Sequence, residues 1–391
     1  MKRLVFLLSI TVFLSVALAF VPRATAAADS ASRAEEELEE YVDRNLDALD
    51  VAEFETFCRG LAGGDVSVRE TMAALIKGEL SLTPRELLSL VWSAFISSFT
   101  RVLPSLAIIV LISLLFNLLM GLTQNFLRRQ TTDVVYFVCY GAVLLTVVTI
   151  VLNVVTSVRK TVTSLVSVMN LVTPPLTTLM TALGASSTSA LFRPQLAFCC
   201  TLVGEVIANI VLPLFIASVV FAVVGNLSDS VRLDKLQSAT RYIVGVVLGV
   251  VFGLFTTYLT VAGIAGSMAD TMSVRAARYV IGSYLPLLGG YISQGFDLVT
   301  ASLNLIKNAL GVYAVLTVLT VVLGPLLELT ALVVGLKLTA GLIEPIGDRR
   351  MASFVSSVGE CMRSLLAAVA GVGFTFIVTL LLVMCSVTMV L

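Results

Sequence analysis

Residues 196–225 read LAFCCTLVGEVIANIVLPLFIASVVFAVVG and contain a single charged side chain, that of Glu205. As a helix rising 1.5 Å per residue, this run is long enough to cross about 30 Å of hydrocarbon. Comparable apolar runs recur along the chain after residue 100. Over the whole chain, hydrophobic residues make up 58% of the 391 positions and charged residues only 13%. Since lipid cannot bond to exposed backbone, the sequence predicts an all-α, polytopic helical membrane protein.

The apolar runs predict six membrane spans. They lie at 103–127, 134–157, 196–225, 242–265, 312–336 and 366–390 and would form three hairpins. If the N-terminus starts outside, the three connections on the cytoplasmic side carry nine basic residues, against six on the two longer outer segments. The positive-inside rule favours this orientation. The nine are Arg128, Arg129, Arg232, Lys235, Arg241, Lys337, Arg349, Arg350 and Arg363.

Residues 1–26 have the features of a secretory signal peptide. Lys2 and Arg3 precede an apolar stretch at 4–21, and the small residues at 24–26 form a cleavage site. The apolar stretch is long for a signal peptide, so an uncleaved anchor stays open as an alternative. Either interpretation exports the segment that follows.

Residues 27–100 are predicted to form a small, acidic, helical extracytoplasmic domain. Fifteen of the 25 acidic residues lie between positions 29 and 86, and apolar residues recur there at helical spacing. A helix is expected to begin at Pro84, which suits the first helical position. Two roles stay open for this domain, a lid on the membrane face and a docking module for a partner. Residues 101–391 form the predicted polytopic membrane domain.

Two outer segments, 158–195 and 266–311, are too polar and too interrupted to be simple spans. Pro174 and Pro175 are predicted to split the first segment, and Pro286 the second. Broken backbone at membrane depth needs protein or water around it, so each segment is either a re-entrant hairpin or an interfacial helix.

Proline spacing suggests an internal repeat. Pro104, Pro213 and Pro325 follow one another at intervals of 109 and 112 residues, each early in a predicted hairpin. Three hairpins of equal orientation would be related as parallel repeats, with approximate bounds 101–195, 196–311 and 312–391.

The sequence offers little for catalysis. It has no histidine, and its six cysteines form no CxxC pair. Histidine is the usual general base and a common metal ligand, and no nucleotide, metal or nucleic-acid signature is present. We therefore expect no enzyme activity, no catalytic residues, no cofactor, no metal site and no nucleic-acid partner.

Acidic residues within apolar sequence are candidates for function. Glu205 lies in the third span, and Glu328 follows Pro325 by three residues. Three interpretations stay open for such a residue: a hydrogen-bonded group facing protein, a clamp between helices, or a site for an ion or substrate. Asn209 lies on the same helix face as Glu205, so the two could share a partner helix.

Further charged candidates cluster in the second outer segment, beside Pro286. Pairing among them at the membrane interface is the expectation. They are Asp270, Arg275, Arg278, Asp297 and Lys307.

Residues 263–311, GIAGSMADTMSVRAARYVIGSYLPLLGGYISQGFDLVTASLNLIKNALG, resemble the signature stretch of the stage III sporulation protein AE family. The similarity is strongest at 273–286, 297–302 and 307–311. The leader, acidic prelude, length and apolar C-terminus are also similar to those of the family, whereas the N-terminal domain departs freely.

The resemblance implies a multi-pass protein of the mother-cell membrane around the forespore in an endospore-forming bacterium. It implies a membrane scaffold or channel component of the stage III sporulation complex, needed for late forespore development. The partners implied are the other membrane and ring-forming, secretion-like proteins of that complex, together with the lipid bilayer; a homo-oligomer is left open. The alternative is a stand-alone secondary transporter, or permease, for a small solute.

Overall fold

The computed structural model describes residue 56 and residues 84–123, 129–227, 233–284, 289–346 and 349–388. The predicted signal peptide, most of the acidic N-terminal domain, and Pro286 lie outside these residues. Within residues 84–388, the described chain is helical except at residues 183–185 and at Leu233. The prediction of an all-α protein is confirmed.

Seven long helices and one π-helical turn make up the described fold. The first long helix is described from Pro84 onward. The helices are α1 (Pro84–Thr123), α2 (Arg129–Ala182), α3 (Ser186–Val206), α4 (Leu212–Leu227), α5 (Asp234–Tyr284), α6 (Gly289–Ile346) and α7 (Arg349–Thr388), with the π turn at Ile207–Val211 between α3 and α4.

Six described segments are long and apolar enough to cross a membrane, as predicted. Several are longer than the predicted spans, because the helices continue past the apolar runs. A 46-residue segment would extend about 69 Å, more than twice the hydrocarbon thickness, so such helices must project from the bilayer. The six are Val91–Leu119, Phe137–Ala182, Ser186–Leu227, Asp234–Ser273, Val299–Pro345 and Arg349–Ser386.

The break in the first outer segment does not fall where the sequence predicts it. Helix α2 runs through Pro174 and Pro175 and ends only at Ala182, so the predicted split at the two prolines is wrong. The chain turns instead at Gly184, whose φ of 85° suits glycine because it has no side chain. Bonds from the Gly184 amide to the Thr181 carbonyl and from the Ala185 amide to the Met180 carbonyl form a Schellman cap.

The second outer segment is helical on both sides of residues 285–288. Its first part continues α5 to Tyr284, and its second part opens α6 at Gly289. The choice between interfacial and re-entrant segments stays a prediction, as does the internal repeat. Of the three repeated prolines, Pro104 and Pro325 lie inside continuous helices, and Pro213 follows the π turn.

Helix α7 lies at the centre of the bundle. It packs most extensively against α6 and also contacts α2, α3, α4 and α5. Glycines allow the close approach of its neighbours: a side chain at Gly371 would overlap Phe252 of α5, and one at Gly373 would lie 2.9 Å from the Val322 methyl groups of α6. Small residues of this kind are the usual means by which membrane helices pack closely.

Candidate functional site

Asp270 caps a helix that is distant in the sequence. Its side chain is buried on α5, and its two carboxylate oxygens accept hydrogen bonds of 2.8 Å from the backbone amides of Ser187 and Thr188. These amides open α3, whose own preceding residue, Ala185, supplies no side-chain cap. The first amides of a helix lack partners and carry partial positive charge, so a carboxylate stabilises them.

Two glycines bring α5 close enough for this contact. A Cβ atom at Gly266 would lie 2.9 Å from the Thr188 Cα, and one at Gly263 would lie 3.2 Å from the Phe192 ring. The spacing of Gly263, Gly266 and Asp270 puts all three on one face of α5. The start of the resembled stretch therefore forms a surface fitted to the first turns of α3.

The start of α3 is also hydrogen-bonded to the end of α2. The Thr181 hydroxyl donates to the Ser189 hydroxyl at 3.1 Å, and that hydroxyl in turn donates to the Thr177 carbonyl at 3.0 Å. Together with the cap at Gly184, these bonds fix the turn between the two helices. The end of α2, the start of α3 and the part of α5 around Asp270 thus meet in one polar cluster within an apolar bundle.

Lys307 binds the C-terminal end of a helix, whereas Asp270 binds an N-terminal end. Its side chain on α6 has 0% exposure, and its ammonium donates a 3.1 Å hydrogen bond to the carbonyl of Met384. Met384 lies in the last turns of α7, where the helix dipole is negative and attracts a cation. Gly311, one turn after Lys307, leaves room for the Met384 side chain, whose Cγ would lie 2.7 Å from a Cβ there.

The remaining predicted residues of this segment take different positions. Asp270 and Lys307 each bind a helix end, so the predicted pairing among the charged residues is wrong for these two. Arg275 is exposed on α5. Arg278 and Asp297 lie on helices α5 and α6, but their side chains are outside the described residues, as is Pro286.

Glu205 points away from the bundle. Its side chain is exposed, and it accepts a hydrogen bond from the Asn209 amide one turn later on its own chain. The interpretation that Glu205 faces protein is therefore wrong for the single chain. An ionised side chain at the centre of a lipid-facing helix costs about 3 kcal/mol. Glu328 is half-buried on α6.

Glu360, which no sequence pattern singles out, joins three helices. Its carboxylate lies 2.6 Å from the Lys337 ammonium, 3.1 Å from the Arg363 guanidinium and 3.5 Å from that of Arg241. These three cations were predicted to lie on the cytoplasmic side, in two different connections. Their meeting at one carboxylate puts the start of α5, the later part of α6 and the first half of α7 at one end of the bundle.

The described residues show no arrangement suited to metal binding. In the ranges 84–123, 129–227, 233–284, 289–346 and 349–388, no three His, Cys, Asp or Glu side chains come together as ligands. The polar groups around Asp270 and Lys307 bond mainly to backbone atoms and do not converge on an open space. Their arrangement holds helices in place.

Comparisons with known proteins agree with the resemblance in the sequence. A family model described as Stage III sporulation protein AE matches residues 66–388. The chain is 23% identical over 389 residues to the Stage III sporulation protein AE of Bacillus subtilis (strain 168), covering 97% of this chain and 96% of that one. No solved structure matches.

Proposed function

The chain belongs to the stage III sporulation protein AE family, and on that premise we propose that it is a membrane scaffold or channel component of a sporulation complex. The complex would link the mother cell and the forespore and sustain late forespore development. The chain would lie in the mother-cell membrane around the forespore. Its partners would be the other membrane proteins and the ring-forming, secretion-like proteins of the complex.

In this proposal the N-terminus is extracytoplasmic after cleavage of the signal peptide. The cluster around Glu360 supports the orientation, because it gathers three of the basic residues that favour a cytoplasmic location. The polar groups around Asp270 and Lys307, named the outer cluster, would then lie at the end of the bundle next to the space between the two membranes. The acidic domain at 27–100 and the segments at 158–195 and 266–311 would be available there for partners.

The observation that carries the proposal is that two buried charged side chains bond to the backbone at helix ends. Asp270 and Lys307 are bound by backbone groups at the ends of α3 and α7, so they stiffen the outer end of the bundle. A scaffold needs such a fixed surface for docking. A transporter would instead need charged groups that face a cavity and exchange partners with its solute.

The groove between α1 and α6 also gives little support to a solute permease. It has a volume of about 420 Å³ and is lined almost entirely by apolar side chains, among them Phe99, Leu106 and Leu342. Asp270, Lys307, Glu205 and Glu328 are not among its lining residues. Such a groove suits an acyl chain of a lipid better than a polar solute.

Reversal of one exposed charge tests the proposal. Arg275→Glu should abolish late forespore gene expression and heat-resistant spores while the protein stays in the membrane at its normal level. The matched comparison is Arg159→Glu in the first outer segment, because both arginines are exposed and both end a Ser-Val-Arg sequence. Normal sporulation with Arg159→Glu would place docking at 266–311 alone, and loss of spores would place it at both segments.

Two outcomes would contradict the proposal. Normal sporulation with Arg275→Glu would remove the docking role of this segment. Uptake of a small solute by the purified chain alone in vesicles, lost with Glu328→Gln, would favour the transporter.

A further inference from the structure

Glu205 and Asn209 form a polar pair on the outer surface of the bundle. Both side chains are exposed, and the Asn209 amide bonds to the Glu205 carboxylate. Among the acidic side chains whose exposure is described, Glu205 is the exposed one that lies far from both ends of a continuous helical segment, here residues 186–227. One amide leaves most of the acceptor sites of the carboxylate unused, and the amide has a second N–H to donate.

Two polar levels in the bundle give the depth of this pair. At the outer level Asp270 binds Thr188, and at the inner level the Ser218 hydroxyl lies 3.1 Å from the Cys361 sulfur, next to Glu360. Glu205 is seventeen residues from Thr188 and thirteen from Ser218 along α3, the π turn and α4. At the helical rise these separations are about 25 Å and 20 Å, so the pair lies near the middle of the bilayer.

The backbone is irregular at the same place. The Leu212 amide bonds to the Ile207 carbonyl, five residues back, which is the bonding of a π turn. Pro213 gives the physical reason, since its ring would clash with the carbonyl of Asn209 in a regular α-helix. The π turn thus avoids this clash and lets the helical segment continue from α3 into α4.

The surface around the pair suits another helix. Ala197 and Thr201 precede Glu205 at four-residue intervals, and all of these side chains are exposed. The Thr201 hydroxyl bonds to the Ala197 carbonyl of its own helix, so it presents mainly its methyl group. Small residues on one face allow close contact between helices, and polar side chains then bond across the contact.

We propose that the face formed by Ala197, Thr201, Glu205 and Asn209 is the contact between two copies of this chain. Copies related by rotation about the membrane normal carry these residues at equal depth. The second N–H of Asn209 in one copy then reaches the Glu205 carboxylate of the other, so the pair is its own complement. A different partner would have to supply a donor and an acceptor at the same depth.

Association of the full chain in vesicles of phosphatidylethanolamine and phosphatidylglycerol tests the proposal. Energy transfer between donor- and acceptor-labelled copies should exceed that expected from random proximity and should rise with protein density. Asn209→Leu or Glu205→Leu should weaken association about tenfold. Glu205→Gln, which keeps hydrogen bonding, should retain most of the association. The control Asn153→Leu, which replaces an exposed asparagine of α2, should leave it unchanged.

Cross-linking gives a readout that does not depend on altering the pair. Thr201→Cys should form disulfide-linked dimers on mild oxidation, whereas Tyr258→Cys, at an exposed position of α5, should not. The proposal is overturned if the wild-type chain stays monomeric at every density, if Asn153→Leu weakens association as much as Asn209→Leu, or if the chain assembles only when another membrane protein is added.

Discussion

The outer cluster and the middle of α3–α4 both contain charge within apolar sequence, but they treat it differently. Asp270 and Lys307 are buried, and each bonds to the backbone at the end of another helix. Glu205 is exposed, and its described partner is Asn209 of the same chain. The first two charges are satisfied within the fold, whereas Glu205 needs something outside it. In this protein, a buried charged side chain within apolar sequence holds two helices of the bundle together, whereas an exposed one is available for a contact outside the chain.

The largest effect on the helix contacts within the fold is expected from reversing the charge of buried Lys307. Lys307→Glu puts a carboxylate against the Met384 carbonyl at the negative end of α7. We expect a loss of about 3–5 kcal/mol in the free energy of unfolding, measured by denaturant titration in mixed micelles. Lys307→Met, which keeps the length and removes the charge, should cost about 1 kcal/mol or less. Equal losses for the two variants would contradict the role of the charge.

Closing the space at Gly266 should separate α5 from α3 without touching a charge. Gly266→Val places its side chain against the Thr188 backbone, and we expect a loss of about 3 kcal/mol. The matched control is Gly245→Val on the same helix, because no atom lies within 4 Å of the added Cβ there. The thermal unfolding midpoint of the control should stay close to that of the wild type, and a large fall in it would show that α5 tolerates no branched residue.

The ion pairs of Glu360 with Lys337, Arg363 and Arg241 should contribute less, because these groups are partly exposed to water. The Glu360 side chain is 30% exposed and that of Lys337 is 41% exposed, so screening weakens their attraction. Glu360→Gln should lower the free energy of unfolding by about 0.5–1 kcal/mol, and the difference should shrink in 1 M salt. Glu344→Gln, at an exposed acid near the end of α6, should have no measurable effect. A loss independent of salt would argue against ion pairing.

The spans follow from the sequence because hydrocarbon imposes a length and an apolar composition that can be read locally. The Glu205–Asn209 bond was also predictable, since residues four apart on a helix are neighbours. The turn at Gly184 was missed because two adjacent prolines are the stronger local signal for a break. The position of the turn is instead set by Gly184, which can adopt a positive φ at the end of the helix.

The long-range partners could not be predicted from one sequence. Asp270 caps residues more than 80 positions earlier, and Lys307 binds a carbonyl 77 positions later. Nothing local to either charge distinguishes a cap from an ion pair. The role of Glu360 is also not predictable, because the positive-inside rule counts its three cations and ignores acids. The resembled stretch was recognised, but the packing of Gly263 and Gly266 is visible only in the fold.

The claim that Asp270 stabilises the fold whereas Glu205 serves a contact outside the chain is tested most directly by comparing two variants of the monomer. The free energy of unfolding in dilute mixed micelles would be measured for Asp270→Ala and for Glu205→Ala. We expect a loss of about 2 kcal/mol for Asp270→Ala, because two helix amides lose a buried acceptor. Glu205→Ala should change the value by less than about 0.5 kcal/mol, as at other exposed positions. Equal losses for the two variants, or a larger loss for Glu205→Ala, would contradict the account.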